Sequence, residues 1–180
     1  MDRYTFTENF NNQGWPSKTY LCYKVERLDG DTAIPLDEYK RFVRSKGPDQ
    51  PQGPHHAEFY FLEQIRSRNL DQNQHYRLTC FISWSPCYCC AHNLTTFLKE
   101  NPHISLHIFA SRLYTSNRFG CYQRGLRELQ AAGAQITIMT FQGRQGSPGG
   151  GAVAGRGLWE VARKRWTGWE SLVQRPLCAA

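Results

Sequence analysis

Two short motifs constrain the fold of this chain more than any other feature of its sequence. The first reads H-A-E at residues 56–58, and the second, after 27 intervening residues, reads P-C-Y-C-C at residues 86–90. Each motif lies at the start of a segment whose apolar residues recur at helical spacing. Cys87 and Cys90 are three residues apart, so on a helix they project from one face and can reach one ion. A chain that brings His56 to the same ion must place two helix N-termini close together.

The residue types in these motifs indicate a catalytic metal site. His56, Cys87 and Cys90 supply three ligands, which is the number that catalytic zinc takes from a protein while one position stays open. The partial positive charge of a helix N-terminus favours thiolate over thiol and so prepares both cysteines for a metal. Glu58 lies two residues beyond His56, near the metal but turned away from it. A carboxylate placed there can accept a proton from an activated water and pass it on.

Either motif alone has simpler interpretations. An H-x-E triplet occurs by accident in many chains, and a C-x-x-C pair can be a structural zinc half-site or two buried thiols. A redox C-x-x-C pair is a poorer interpretation, because it would leave His56 and Glu58 without a role. The order of the two motifs and their place at helix starts favour the catalytic site.

Alternating helix and strand patterns between residues 4 and 141 predict a mixed sheet with helices. Helical spacing occurs at residues 4–10, 56–68, 87–101 and 122–132. Pro86 is predicted to occupy the first position of the third of these helices. Strand patterns occur at residues 19–28, 33–43, 75–83, 104–110 and 135–141. Asp29-Gly30 predicts a hairpin between the first two strands, and the strand-helix-strand succession that follows predicts a parallel pair. The fold class is therefore α/β.

Residues 142–180 differ in composition from the rest of the chain. They hold eight of the 15 glycines, and residues 142–157 have no periodic apolar pattern, so this segment is predicted to be disordered. An apolar stripe at 158–173 could form a short helix, although Gly168 in its middle argues against it. We therefore divide the chain into a domain at 1–141 and a Gly-rich basic tail at 142–180.

Charge and cysteine content bear on partners and compartment. The net charge of +7 fits a polyanionic partner, but six Lys or Arg against two Glu in the tail supply +4 of it. Charge is therefore weaker evidence for the domain itself. Seven cysteines without an N-terminal signal segment indicate a reducing compartment, so we expect a cytoplasmic or nuclear protein rather than a secreted one. No uninterrupted apolar run approaches the ~18 residues of a membrane span, and no membrane partner is expected.

Further motifs carry a specific family resemblance. Residues 83–87 read S-W-S-P-C and residues 110–114 read A-S-R-L-Y, which are similar to the S-W-S-P-C and A-R-[IL]-Y motifs of the AID/APOBEC polynucleotide cytidine deaminases. The motifs at 56–58 and 86–90 also match the H-x-E and P-C-x-x-C pattern of zinc deaminases. Residues 10–12, 18–23 and 133–140 most closely resemble the antiviral, retrovirus-restricting branch. The resemblance extends from about residue 4 to residue 141.

This resemblance implies a fold and an activity. The fold would be the three-layer cytidine-deaminase fold, with a mixed five-stranded sheet between helices. One zinc ion per chain would be held by His56, Cys87 and Cys90, with Glu58 as the proton shuttle. The activity would be hydrolytic deamination of cytosine to uracil in single-stranded DNA or RNA, in innate antiviral or retroelement defence. The chain is expected to be a monomer.

The resemblance also implies roles for substrate-binding residues. Trp84 and Tyr114 would line the pocket, where aromatic faces stack against an extruded base. The Ser85 carbonyl, the Ala57 amide and Thr19 would recognise the cytosine edge. The remaining implied residues lie in nucleic-acid-binding loops; they are Ser17, Lys18, Arg112, Asn117 and Arg118.

Two departures from the family pattern leave other hypotheses open. Relatives have an Asn that holds the target sugar in an F-x-x-N-Q segment, whereas residues 42–46 here read F-V-R-S-K, and Ser45 lacks the amide donor. The C-terminal helices of the family are not recognisable after residue 141, so the tail is interpreted as an alternative splice form, a read-through or an unreliable gene model. A second hypothesis is therefore a catalytically impaired zinc-containing nucleic-acid-binding splice variant or decoy. A third is a deaminase of free nucleosides, which the extended loops and interleaved aromatic residues fit less well.

Overall fold

The computed structural model describes residues 8–10, 17–46, 55–114 and 121–139. The chain divides into two compact units, of which the larger is Pro16–Ile138. The other combines Met1–Trp15 with Met139–Ala180. Within this second unit the described residues are 8–10, which are helical, and Met139. The predicted tail at 142–180, with its possible helix at 158–173, lies outside the described residues.

One mixed sheet organises the larger unit. Its described strands are β1 (Tyr20–Asp29), β2 (Thr32–Arg44), β3 (His75–Ile82), β4 (Ile104–Ala110) and β5 (Gln135–Ile138). The strand order is β2-β1-β3-β4-β5. Strand β1 pairs antiparallel with β2 and β3, whereas β3 with β4 and β4 with β5 are parallel. The predicted α/β fold with a mixed five-stranded sheet is confirmed.

The hairpin between β1 and β2 forms where the sequence predicts it. Gly30 has a φ of 55°, a left-handed conformation that residues with a Cβ adopt at a cost. The register of β1 against β2 shifts between Tyr23 and Val25, which is a β-bulge. Pro35 is tolerated in β2 because this strand lies at the edge of the sheet.

Three described helices accompany the strands. They are α1 (Ala57–Arg66), α2 (Tyr88–Glu100) and α3 (Cys121–Ala131). The prediction that Pro86 takes the first helical position of α2 is wrong. Cys87 has extended backbone angles and is the N-cap, and its carbonyl accepts the first intrahelical bond from the Ala91 amide at 2.8 Å. The helix therefore begins at Tyr88, two residues after Pro86, and Pro86 precedes the cap. None of the helices in the described ranges is long and apolar enough to cross a membrane.

The hydrophobic core is formed by residues of both the strands and the helices. Leu78 and Ile82 of β3 are buried in one cluster with Phe61 of α1 and Leu94 of α2. The start of β1 and the ends of β2, β3 and β4 lie at the same end of the sheet. This follows from the register, in which Leu21 lies opposite both Val43 and Ile82, and Ile82 lies opposite Ala110. The segments that follow the strands at this end of the sheet carry the motifs identified in the sequence.

Candidate metal centre and its cavity

His56, Cys87 and Cys90 converge at the N-termini of α1 and α2. His56 and Cys87 are the N-caps of these helices, and neither uses its side chain for a capping hydrogen bond. Cys90 lies in the first turn of α2. The Nδ1 atom of His56 is 3.2 Å from Cys90 Sγ and 3.4 Å from Cys87 Sγ, and the three ligand atoms lie within 4.8 Å of one another. The spacing predicted from the sequence thus brings all three donors to one point.

The donor set fits a single zinc ion. Zinc lies about 2.0–2.1 Å from nitrogen and about 2.3 Å from sulfur, so a tetrahedral ion holds such atoms about 3.5 Å apart. The two N···S distances of 3.2 and 3.4 Å are close to that separation. Among the described residues, these three are the His, Cys, Asp or Glu side chains whose ligand atoms lie close enough together to hold one metal ion. One position would remain open, as at a catalytic zinc site.

The site is electrostatically prepared for a cation. A hydrogen bond from Cys90, assisted by His56, lowers the pKa of Cys87 to about 4. The same hydrogen bond and burial raise the pKa of Cys90, so without a metal the two sulfurs share one proton. The hydrogen bond with Cys87 raises the pKa of His56. A bound metal removes the remaining thiol proton outright, which gives two thiolates and an imidazole.

Glu58 is a buried carboxyl group beside this metal site. It lies in the first turn of α1 and is 4% exposed. Burial raises its pKa to about 7. Its Oε2 atom has no hydrogen-bond partner among the described residues. A buried acceptor without a partner is costly, so its retention next to three metal ligands indicates a group that contacts substrate or water.

A cavity of about 430 Å³ opens beside the metal site. Cavities of about 300–1,000 Å³ are typical of small-molecule sites. Ten residues that the sequence singled out line it; they are Ser17, Lys18, Thr19, Ser45, His56, Glu58, Trp84, Ser85, Cys87 and Tyr114. Lys46 also lines the cavity, and the sequence analysis assigned it no role.

Several predicted site residues lie elsewhere. Ala57 is fully buried and does not line the cavity, although it lies between His56 and Glu58. Arg112, predicted in a nucleic-acid loop, is 8% exposed, and its guanidinium lies 5.4 Å from the centroid of the Trp84 ring. Burial lowers the pKa of Arg112. The predictions for Asn117 and Arg118 lie outside the described residues.

Serine hydroxyls hold the cavity rim together, which the sequence analysis did not foresee. Ser45 Oγ accepts a hydrogen bond from the Thr19 amide at 3.0 Å, and the Ser45 amide donates to the Thr19 carbonyl at 2.8 Å. Ser83 and Tyr20 form the same reciprocal pair, with both distances at 2.9 Å. The sequence signal for this network was the position of each serine directly after a strand.

The family model and the known proteins that this chain matches indicate the same family. The family model for the APOBEC3 cytosine deaminase domain matches residues 1–145. The DNA dC->dU-editing enzyme APOBEC-3G of Chlorocebus aethiops is 46% identical over 164 residues, which cover 82% of this chain and 42% of that protein. The protein of the same name from Papio anubis has the same identity and coverage. That from Erythrocebus patas is 47% identical over 147 residues, which cover 78% of this chain and 37% of the relative. The chain therefore spans about two fifths of the length of these curated relatives.

Proposed function

We propose, from the premise that this chain belongs to the APOBEC3 cytosine deaminase domain family, that it hydrolyses cytosine to uracil in single-stranded DNA. The observation that carries the proposal is the buried Glu58 carboxyl, whose Oε2 atom has no partner among the described residues. This carboxyl lines the same cavity as the ligands His56 and Cys87. The relatives that the chain matches are DNA dC->dU-editing enzymes.

The reaction adds water to C4 of cytosine and releases ammonia. Zinc, when bound by His56, Cys87 and Cys90, supplies a Lewis acid that makes water a nucleophile near neutral pH. Glu58 accepts one proton from the attacking water and delivers it to N3. It then takes the second proton from the hydroxyl group added at C4 and passes it to the amine, which departs as ammonia while C4=O forms. A pKa of about 7 suits a group that must both take and give a proton at neutral pH.

The cavity walls fit a flat heterocycle. Trp84 and Tyr114 both line the cavity and offer aromatic faces for stacking against a base that has left its strand. The Ala57 amide is the first N–H of α1 and has no intrahelical acceptor, so it is available to the carbonyl of cytosine. We propose that it acts with the Ser85 carbonyl and with Thr19 in recognising the base edge.

A polynucleotide fits the rim better than a free nucleoside. Ser17 and Lys18 lead from the cavity into a segment outside the described residues, and Lys18 brings a cation to the rim. Such a cation has a partner in a phosphate next to the target nucleotide. DNA is proposed over RNA because the matched relatives are DNA-editing enzymes.

A second candidate function is a zinc-containing nucleic-acid-binding protein without turnover. It is favoured by the end of the family match at residue 145 of a 180-residue chain. The candidate predicts bound metal and DNA binding without product.

A direct assay separates these functions. The purified chain is incubated with a fluorescent oligonucleotide that contains one deoxycytidine, and uracil excision followed by alkaline cleavage reports the product. We expect cleaved product from the native chain and from Cys89→Ser, since Cys89 is an exposed neighbour of the ligands. Glu58→Gln should bind zinc and give no product. Stoichiometric zinc with no product from the native chain would favour the second candidate, and neither zinc nor product would overturn both.

We further propose a monomer that works in the cytoplasm or nucleus, in defence against retroviruses or retroelements. The six cysteines within the described ranges are free thiols, as a reducing compartment requires. Light scattering coupled to size exclusion tests the monomer, and imaging of the tagged chain tests the compartment. Infectivity of a reporter retrovirus made with the native chain or with Glu58→Gln tests the defence role.

A further inference from the structure

Lys46 lies at a fixed place beside the metal centre. It follows β2, and its amide donates a hydrogen bond to the His55 carbonyl at 3.0 Å. The same two residues form an isolated antiparallel bridge. His55 directly precedes the ligand His56. The preceding residue, Ser45, is bonded to Thr19 through both its amide and its hydroxyl. The backbone of Lys46 is thus attached on one side to the metal-binding segment and on the other to the cavity rim.

The Lys46 side chain reaches both the cavity and an aromatic face. The residue lines the cavity, and its Nζ atom lies 4.6 Å from the centroid of the Tyr60 ring. Tyr60 is half-buried and packs against the core. A contact between a cation and an aromatic face is weaker than a charge-assisted hydrogen bond to an anion. Tyr60 therefore orients the ammonium group without competing effectively with an anionic ligand.

The charges of the cavity are separated. Among the described lining residues its cations are Lys18 and Lys46, whereas the acidic groups, Glu58 and Cys87, lie at the metal site, so an anion is favoured only at the lysines. The Ser45 hydroxyl, which replaces a longer amide in the family pattern, already accepts a hydrogen bond from the Thr19 amide. Lys46 places a charge on a long side chain directly beside Ser45.

We propose that Lys46 binds a backbone phosphate of the single-stranded DNA next to the target cytosine. This inference rests on the proposed function and adds a residue that positions the strand. Lys46 contacts phosphate and no base, so it adds affinity equally for all flanking sequences. This ionic contact also makes the affinity for DNA depend more steeply on salt concentration.

The test measures binding and not turnover. Fluorescence anisotropy of a labelled single-stranded oligonucleotide is recorded with the Glu58→Gln chain at a series of salt concentrations. Adding Lys46→Met should weaken binding about 3- to 10-fold at low salt. It should also make the slope of log Kd against log salt shallower by about 0.7, the value for one phosphate contact on a single strand. Lys46→Arg should keep the slope.

Lys99→Met is the matched control. Lys99 is exposed in the last turn of α2, about 18 Å along the helix from the ligand Cys87 at its start. It should change neither affinity nor slope. An unchanged slope in Lys46→Met, in a parent chain that binds DNA, overturns the Lys46 proposal and leaves the proposed function intact. A parent chain that binds no DNA overturns both, and Lys46→Gln repeats the measurement if Lys46→Met does not fold.

Discussion

The hydroxyl of Ser85 accepts a hydrogen bond from the backbone amide of Tyr114 at 2.9 Å. Ser85 also donates its own amide to the Arg112 carbonyl at 2.7 Å, and it is 2% exposed. The segment after β4 is therefore fastened to the segment after β3 by two hydrogen bonds from one residue. Because Trp84 is the neighbour of Ser85, this pair fixes the two aromatic walls of the cavity relative to each other.

Replacing Ser85 with Ala should loosen the Tyr114 wall. The change leaves the Tyr114 amide without its acceptor, and the loss of one such bond costs about 1 kcal/mol of unfolding free energy. We expect KM to rise about 3- to 10-fold with a smaller change in kcat, since base stacking is affected more than proton transfer. Ser105→Ala is the control, because it loses a 3.2 Å bond to the Tyr76 carbonyl outside the cavity lining. A KM that rises equally in both variants would contradict a specific role for Ser85.

Zinc should stabilise the chain through Cys90 but not through Cys89. At free zinc 100-fold above its Kd, binding to the native state adds about 2.7 kcal/mol to the unfolding free energy. Chelation of the metal should therefore lower the melting temperature of the native chain. Cys90→Ser should lose both the metal and the response to chelation, whereas Cys89→Ser, an exposed position beside it, should keep both. Elemental analysis and thermal melts provide the readout, and equal behaviour of the two variants would count against the assigned ligand set.

The metal centre was the most predictable part of this molecule. Its ligands lie in two short motifs at helix starts, and Cys87 and Cys90 are close because one is the N-cap and the other lies in the first turn of the same helix. The hairpin was equally local, because Asp29-Gly30 carries its own turn signal. The family resemblance, found from sequence motifs, is confirmed by the match over residues 1–145.

The cavity rim was less predictable, because it depends on contacts between distant segments. Thr19 and Ser45 are 26 residues apart, and no local pattern shows that their backbones pair. The resemblance placed Arg112 in a nucleic-acid-binding loop, yet this residue is 8% exposed and packs beside Trp84. Its Nη1 donates to the Ser83 carbonyl at 3.4 Å. The position of Pro86 was misjudged because Cys87 has an extended backbone and is the N-cap, so the helix begins at Tyr88.

Arg112→Lys should be destabilising despite the conserved charge. The planar guanidinium lies over the Trp84 ring, and a lysine ammonium is more strongly hydrated and cannot stack in the same way. The position is 8% exposed, so we expect a loss of about 1–3 kcal/mol in urea unfolding. Arg127→Lys, at an exposed position of α3, should change stability by less than about 0.5 kcal/mol. Equal stabilities of the two variants would show that Arg112 gains nothing from its contacts.

Gly125→Ala should weaken the packing of α3 on α2. A Cβ atom there would lie 3.1 Å from the Tyr88 Cα and 3.2 Å from the Ala91 Cβ, and backbone cannot yield as a flexible side chain does. Overpacking costs about 1–3 kcal/mol, which exceeds the gain of about 1 kcal/mol in helix propensity. We expect a lower melting temperature and weaker zinc binding, because Tyr88 follows the ligand Cys87. Gln123→Ala, on the exposed side of the same helix, should leave both unchanged. A stabilised Gly125→Ala variant would show that the two helices separate at little cost.

Tyr23 should make the native state sensitive to alkali. Its side chain is buried and donates a 2.6 Å hydrogen bond to Gln64 Oε1, and burial raises its pKa to about 12. An unfolded tyrosine ionises near pKa ~10, so the stabilisation is complete below pH ~10 and is lost as the pH rises towards 12.

Urea unfolding of the native chain and of Tyr23→Phe between pH 8 and 11 measures this loss. Burial also raises the pKa of Cys80, so both chains should lose stability at high pH. The native chain should lose more, by on the order of 1 kcal/mol at pH 11. The reason is that its Tyr23 phenol ionises on unfolding, whereas Tyr23→Phe has no ionisable group at this position. Parallel curves for the two chains would mean that Tyr23 ionises in the native state as readily as in the unfolded one.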